Sequence, residues 1–84
     1  MKRTLASALP QATPGTQVLL QGWVHRRREL SAVTFLVVRD RTGLAQVVVR
    51  PGGAEVPPEE TTISVVGTAT ANAQAPGGIE LTEP

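Results

Sequence analysis

A chain of 84 residues makes one domain; it has no cysteine and only one histidine, so disulfides are excluded and a structural zinc or iron site lacks its usual ligands. The net charge is only +1, but it is segregated: residues 26–50 carry six arginines against Glu29 and Asp40, a balance of +4, whereas residues 51–84 carry five glutamates and no Lys or Arg, a balance of −5. A basic segment set apart in this way is the footprint expected of a polyanion-binding face, solvated surface arginines being the plainer reading.

The start of the chain, Met1-Lys2-Arg3 followed by Thr4 to Leu9, faintly resembles the basic and apolar regions of a secretory signal. Pro10 and Gln11 stop its apolar stretch short of the roughly 7–15 residues such a signal needs, and a cytoplasmic location is expected instead. No stretch reaches the about 20 apolar residues of a membrane span, so no membrane partner is expected.

A first strand is expected from Gln17 to Arg28, with Val18, Leu20, Gly22 and Val24 on one face and Leu19, Gln21, Trp23 and His25 on the other. Gly22 inside that run suggests a bulge or sharp bend, with a change of phase beyond it. A second strand, Val33 to Arg39, puts Thr34, Leu36 and Val38 toward the core and Val33, Phe35, Val37 and Arg39 on the opposite face. The short polar connection Asp40-Arg41-Thr42-Gly43 leads into a third strand, Leu44 to Arg50, which is a hairpin signature. Here Ala45, Val47 and Val49 form a small-to-medium apolar set, and Leu44, Gln46, Val48 and Arg50 stand opposite.

Residues 51–60, PGGAEVPPEE, hold three prolines and two glycines and are expected to be a connecting loop. A fourth strand, Thr61 to Asn72, alternates Ile63, Val65 and Gly67 against Ser64, Val66 and Thr68. The turn Ala75-Pro76-Gly77-Gly78 then leads to a short fifth strand, Ile79 to Thr82, with Ile79 and Leu81 inward and Glu80 outward. Five short strands with one longer connection after the third fit an all-β, five-stranded Greek-key OB-fold barrel, with an SH3-like barrel as the alternative.

No nucleophile, base and orienting group form a recognisable catalytic motif, and no phosphate-binding loop is present. His25 is read as an exposed strand residue or an RNA contact, and Glu59-Glu60 as a solvated acidic pair. Phe35 is the sharper case. A lone phenylalanine in a small β-domain belongs by default in the core, but alternation places this one beside Arg39 and on the strand that pairs with the one bearing Gln46. An exposed aromatic among cations and an amide is a base-stacking platform. Gln46 could add a paired donor and acceptor for a base edge, although a strand glutamine is more often an ordinary surface residue.

The blocks GWVHRRREL (Gly22 to Leu30), F-x-x-x-R-D-R-x-G (Phe35 to Gly43) and Q-V-V (Gln46 to Val48) resemble, as a set, the N-terminal anticodon-binding domain of aspartyl-tRNA synthetases, in the class II subgroup with the asparaginyl and lysyl enzymes. The resemblance covers about Thr4 to Glu83. It implies that residues 1–84 are a single anticodon-binding domain excised from a larger synthetase, ending where a hinge would begin. By that resemblance Phe35 stacks on the middle anticodon base, a uridine, Gln46 hydrogen-bonds its edge with Arg28 nearby, and Glu80 contacts the first base, a guanine. It further implies tRNA(Asp) as partner, no cofactor in this domain, ATP and magnesium in the missing catalytic domain, and a homodimer formed through that domain. The short proline-rich loop departs from the longer, partly helical connection of many relatives, so contacts from that region do not carry over.

In archaeal-type relatives, tryptophan after GWV and lysine in the loop before the last strand accompany strict selection of tRNA(Asp), whereas histidine and proline accompany relaxed selection that includes tRNA(Asn). With His25 and Pro76, the resemblance implies a non-discriminating aspartate–tRNA(Asp/Asn) ligase. Two other readings stand beside it. One is a generic single-strand-binding OB module, which would need several stacking aromatics. The other is an interaction barrel with merely solvated arginines.

Overall fold

β-Branched and aliphatic residues alternate along five segments, and each forms a strand: β1 (Gln17–Glu29), β2 (Thr34–Asp40), β3 (Gly43–Val49), β4 (Thr62–Ala71) and β5 (Ile79–Thr82). The computed structural model describes residues 2–30, 32–50 and 58–83; of the expected connecting loop, residues 51–57 lie outside the described residues. The strands close a barrel in the order β1-β2-β3-β5-β4, antiparallel throughout except for the β3–β5 pair. That parallel closure is the Greek-key crossing of an OB-fold, and it sets aside the SH3-like alternative.

The core is aliphatic throughout, with Leu9, Leu20, Val24, Val38, Val47 and Leu81 the largest fully buried side chains. Neither aromatic belongs to it. Ala6 and Leu9 enter this core from a short 3₁₀ helix, Ala6–Gln11, so the apolar start of the chain is used in packing. Among the described residues no helix is long and apolar enough to cross a membrane.

The irregularity expected at Gly22 lies three residues later. Pairing of β1 with β2 runs Trp23 to Arg39 and Val24 to Val38, then resumes at Arg26 with Val37, leaving His25 as the extra residue of a bulge. Glycine is needed at position 22 for a different reason. A Cβ there would stand 2.2 Å from the carbonyl oxygen of Arg39, so only the bare backbone lets the end of β2 pass this close.

That close passage delivers Asp40 to a buried position, where its carboxylate ties the hairpin to the start of the chain. Oδ2 accepts the Ala6 N–H at 2.8 Å, and Oδ1 accepts the Thr42 N–H at 2.7 Å and the Thr42 hydroxyl. Burial pushes the Asp40 pKa up, but hydrogen bonds from the Thr42 hydroxyl and from the backbone N–H groups of Ala6, Thr42 and Gly43 outweigh it, and the carboxyl sits below its usual range. The fold therefore holds the ionised form. Its stabilising contribution is complete above the unfolded-chain value of about 3.9 and is lost as the pH falls through the lower folded-state value. We expect the melting temperature to be flat from neutral pH down to about pH 5 and to fall below about pH 4. Asp40→Asn should lower stability at neutral pH by about 1–3 kcal/mol and flatten that acid limb; thermal melts across pH check both.

Candidate nucleic-acid interface

The bulge at His25 decides which arginines share a face with Phe35. In an uninterrupted strand Arg26 and Arg28 would follow Val24 into the barrel. The extra residue reverses the phase, so Arg28 pairs with Phe35, Arg26 with Val37, and Arg27 lies opposite core residue Leu36. The rows continue onto β3, where Phe35 pairs with Val48 and Val37 with Gln46. Two parallel rows result on the outer face, Arg28–Phe35–Val48 and Arg26–Val37–Gln46. Directly opposed side chains in such rows are close enough to act together.

All of these residues except Val48 line, with Asn72 and Gln74, an open cleft of about 370 Å³. Phe35 is partly exposed within it, and Arg26 and Arg28 are exposed. An aromatic face, two guanidinium groups and an amide thus open onto one space. Val48, expected on the face opposite Ala45, Val47 and Val49, pairs with Phe35 but is buried. Arg27 serves differently: its guanidinium pairs with Glu29 and its backbone N–H donates to Glu59 Oε2 at 3.0 Å. The expected solvated pair Glu59-Glu60 is exposed, yet Glu59 caps the β1 backbone just past the bulge.

Glu80 requires a correction. It points away from the core, as alternation implies, but it is buried, with only 7% of its surface exposed. The cause is lateral. Gln46 Nε2 donates to Glu80 Oε1 at 2.9 Å and Asn72 Nδ2 donates to the same oxygen at 2.8 Å, so two amides from flanking elements cover the carboxylate. Glu80 Oε2 takes no hydrogen bond from a described side chain, and neither oxygen is a buried atom without a partner.

Asn72 and Gln74 were not legible as site residues. Asn72 also organises the turn between β4 and β5. Its Oδ1 accepts the Gln74 N–H at 3.0 Å, its N–H donates to Gly78 O at 2.9 Å, and its carbonyl accepts the Ala75 N–H at 2.9 Å. The signal in the sequence was an asparagine at the head of a turn rich in glycine and proline, where its side chain can mimic backbone. Of the two residues expected to bear on tRNA selection, His25 is exposed at the bulge, next to Arg26 of the cleft. Pro76 begins the 3₁₀ turn Pro76–Gly78 before β5, and its side chain lies outside the described residues. Trp23 is exposed, but it lines a separate groove with Arg3, Gln21, Arg41, Ile63 and Ser64.

Comparisons with known proteins agree with this fold. Residues 18–83 match the family described as OB-fold nucleic acid binding domain, of the tRNA anticodon type. The chain is 48% identical over 81 residues to an aspartate–tRNA(Asp/Asn) ligase of Deinococcus radiodurans, covering 96% of this chain and 18% of that protein. It is 44% identical over 71 residues to the aspartate–tRNA(Asp/Asn) ligase of Thermus thermophilus, covering 84% and 16%. Among solved structures it superposes on asparaginyl-tRNA synthetase from Pyrococcus horikoshii, complexed with asparaginyl-adenylate, with a TM-score of 0.86 and 27% identity over 98% of this chain and 21% of that one. The chain thus spans less than a fifth of the length of these two curated relatives. It belongs to the OB-fold nucleic acid binding domains of the tRNA anticodon type, as an anticodon-binding barrel homologous to part of the aspartyl- and asparaginyl-tRNA synthetases.

Proposed function

We propose that this chain is the anticodon-reading domain of a larger aspartate–tRNA ligase, that its cleft holds the anticodon as unpaired bases, and that both tRNA(Asp) and tRNA(Asn) are accepted. The observation that carries the reading is the row Arg28–Phe35 beside Gln46, which puts a stacking face, a cation and a base-edge reader around one opening. Phe35 stacks on the middle base, a uridine, Gln46 bonds its edge, and Arg28 holds a neighbouring phosphate. Glu80 meets the first base: its carboxylate oxygen already accepts from two amides, and guanine presents two donors on its pairing edge. His25 and Pro76 stand where relaxed selection of the third letter is expected, and the two aspartate–tRNA(Asp/Asn) ligases above support that choice.

On this reading the remainder of the enzyme lies outside these 84 residues. It activates aspartate with ATP and magnesium, forms the homodimer, and works in the cytoplasm. Among the described residues no three His, Asp or Glu side chains come together as a group that could hold a metal ion.

The test is binding of the chain to anticodon stem-loops at one fixed salt concentration, since affinity for RNA depends steeply on salt. Changing the middle uridine should abolish tight binding, and stem-loops with C or U as third letter should bind comparably. A strong preference for C would overturn relaxed selection alone. Indifference to every letter would instead favour a generic single-strand binder.

A further inference from the structure

We propose that Glu80, besides meeting the first base, is the positioning residue that sets the polarity of the Gln46 amide and so lets the cleft tell uridine from cytidine at the middle position. The inference rests on the anticodon reading above and deepens it.

A glutamine amide is a poor discriminator when free. Its carbonyl oxygen and its NH₂ group are nearly the same size, and a half-turn about its last bond exchanges acceptor for donor. The pairing edges of uridine and cytidine differ by this same exchange. Uridine offers a donor at N3 beside an acceptor at O4, whereas cytidine offers an acceptor at N3 beside a donor at N4. An amide able to turn would satisfy either base stacked on Phe35.

Gln46 is not able to turn freely. Its Nε2 donates to Glu80 Oε1 at 2.9 Å, in a partly buried setting. Turning the amide would put Gln46 Oε1 against a carboxylate oxygen, two acceptors with no proton between them. Glu80 itself is held from its other side by Asn72 Nδ2 at 2.8 Å, and Asn72 is fixed through its Oδ1 to the Gln74 N–H. The chain of contacts Gln74–Asn72–Glu80–Gln46 therefore runs from the β4–β5 turn to the base-reading amide. It leaves Gln46 Oε1 and one Nε2 proton for the cleft, Oε1 accepting from uridine N3–H. A cytidine in the same stacked position would face that oxygen with its N3 lone pair.

Glu80→Gln is the discriminating substitution. A neutral amide at position 80 can accept from Gln46 Nε2 or donate to Gln46 Oε1, so both polarities become available while size is kept. The uridine-over-cytidine ratio at the middle letter should fall about tenfold, toward unity, the scale of one well-placed hydrogen bond to a base edge. Melting curves identify folded variant, and affinities are expressed per folded molecule. If the substituted chain keeps the full ratio and changes only its first-letter preference, the proposal is overturned and the anticodon reading stands. If the unsubstituted chain itself shows no middle-letter preference, both fall. A second measurement needs no variant. In the unsubstituted chain the Gln46 side-chain amide protons should show nuclear Overhauser contacts to the Glu80 γ-protons, and their absence would overturn the proposal even where Glu80→Gln fails to fold.

Discussion

Gly22→Ala should destabilise the barrel by about 3 kcal/mol or more, a large part of the roughly 5–15 kcal/mol that holds a small domain together. The added methyl would meet the Arg39 carbonyl oxygen at 2.2 Å and its carbonyl carbon at 2.9 Å. Both are backbone atoms inside a paired ladder, so relief requires β1 and β2 to separate. That movement also withdraws Asp40 from the Ala6 N–H, because Asp40 directly follows Arg39. For a chain of this size the melting temperature should drop by more than about 10 °C. Thermal and urea melts give the answer. Unchanged stability would mean that the strands part at no cost, and that the close approach is not what position 22 requires.

Phe35→Ala should weaken binding of an anticodon stem-loop by about 1–3 kcal/mol whichever base stands in the middle, because stacking has no sequence preference. Its cost to folding should be smaller than that of Leu36→Ala, the neighbouring core residue, for which about 2–5 kcal/mol is expected. The difference follows from position. Leu36 is buried in the aliphatic cluster, whereas Phe35 lies outside it and lines the cleft. RNA titrations paired with urea melts of the two variants separate the roles. Equal folding losses, with affinity per folded molecule unchanged, would return Phe35 to a packing role.

Much of this architecture could be read from alternation because a strand's two faces are a local property. Leu36, Val38, Ile79 and Leu81 were expected inward, Val18 and Leu20 were expected to share a face, as were Ala45 and Val47, and all eight are buried. Phe35 and Gln46 were expected on the opposite face and line the cleft. Strand ends fell within a residue or two of their expected places. Side chains set by alternation alone need no knowledge of which strand lies next door.

What alternation could not supply is whatever depends on a neighbour. Gly22 was marked as unusual, but a bulge, a bend and a close approach leave the same glycine in a sequence. Only the position of the Arg39 carbonyl distinguishes them. Glu80 was correctly turned from the core, yet its burial comes from Gln46, 34 residues earlier, and from Asn72 across a turn. Composition and period by themselves determined an aliphatic five-stranded barrel and a basic segment within it. The tertiary structure alone decided which arginines reach that face. The residue left unpaired at His25 is defined only by the register of β1 against β2, and a shift of one position in a period of two carries Arg26 and Arg28 from the buried side to the side of Phe35.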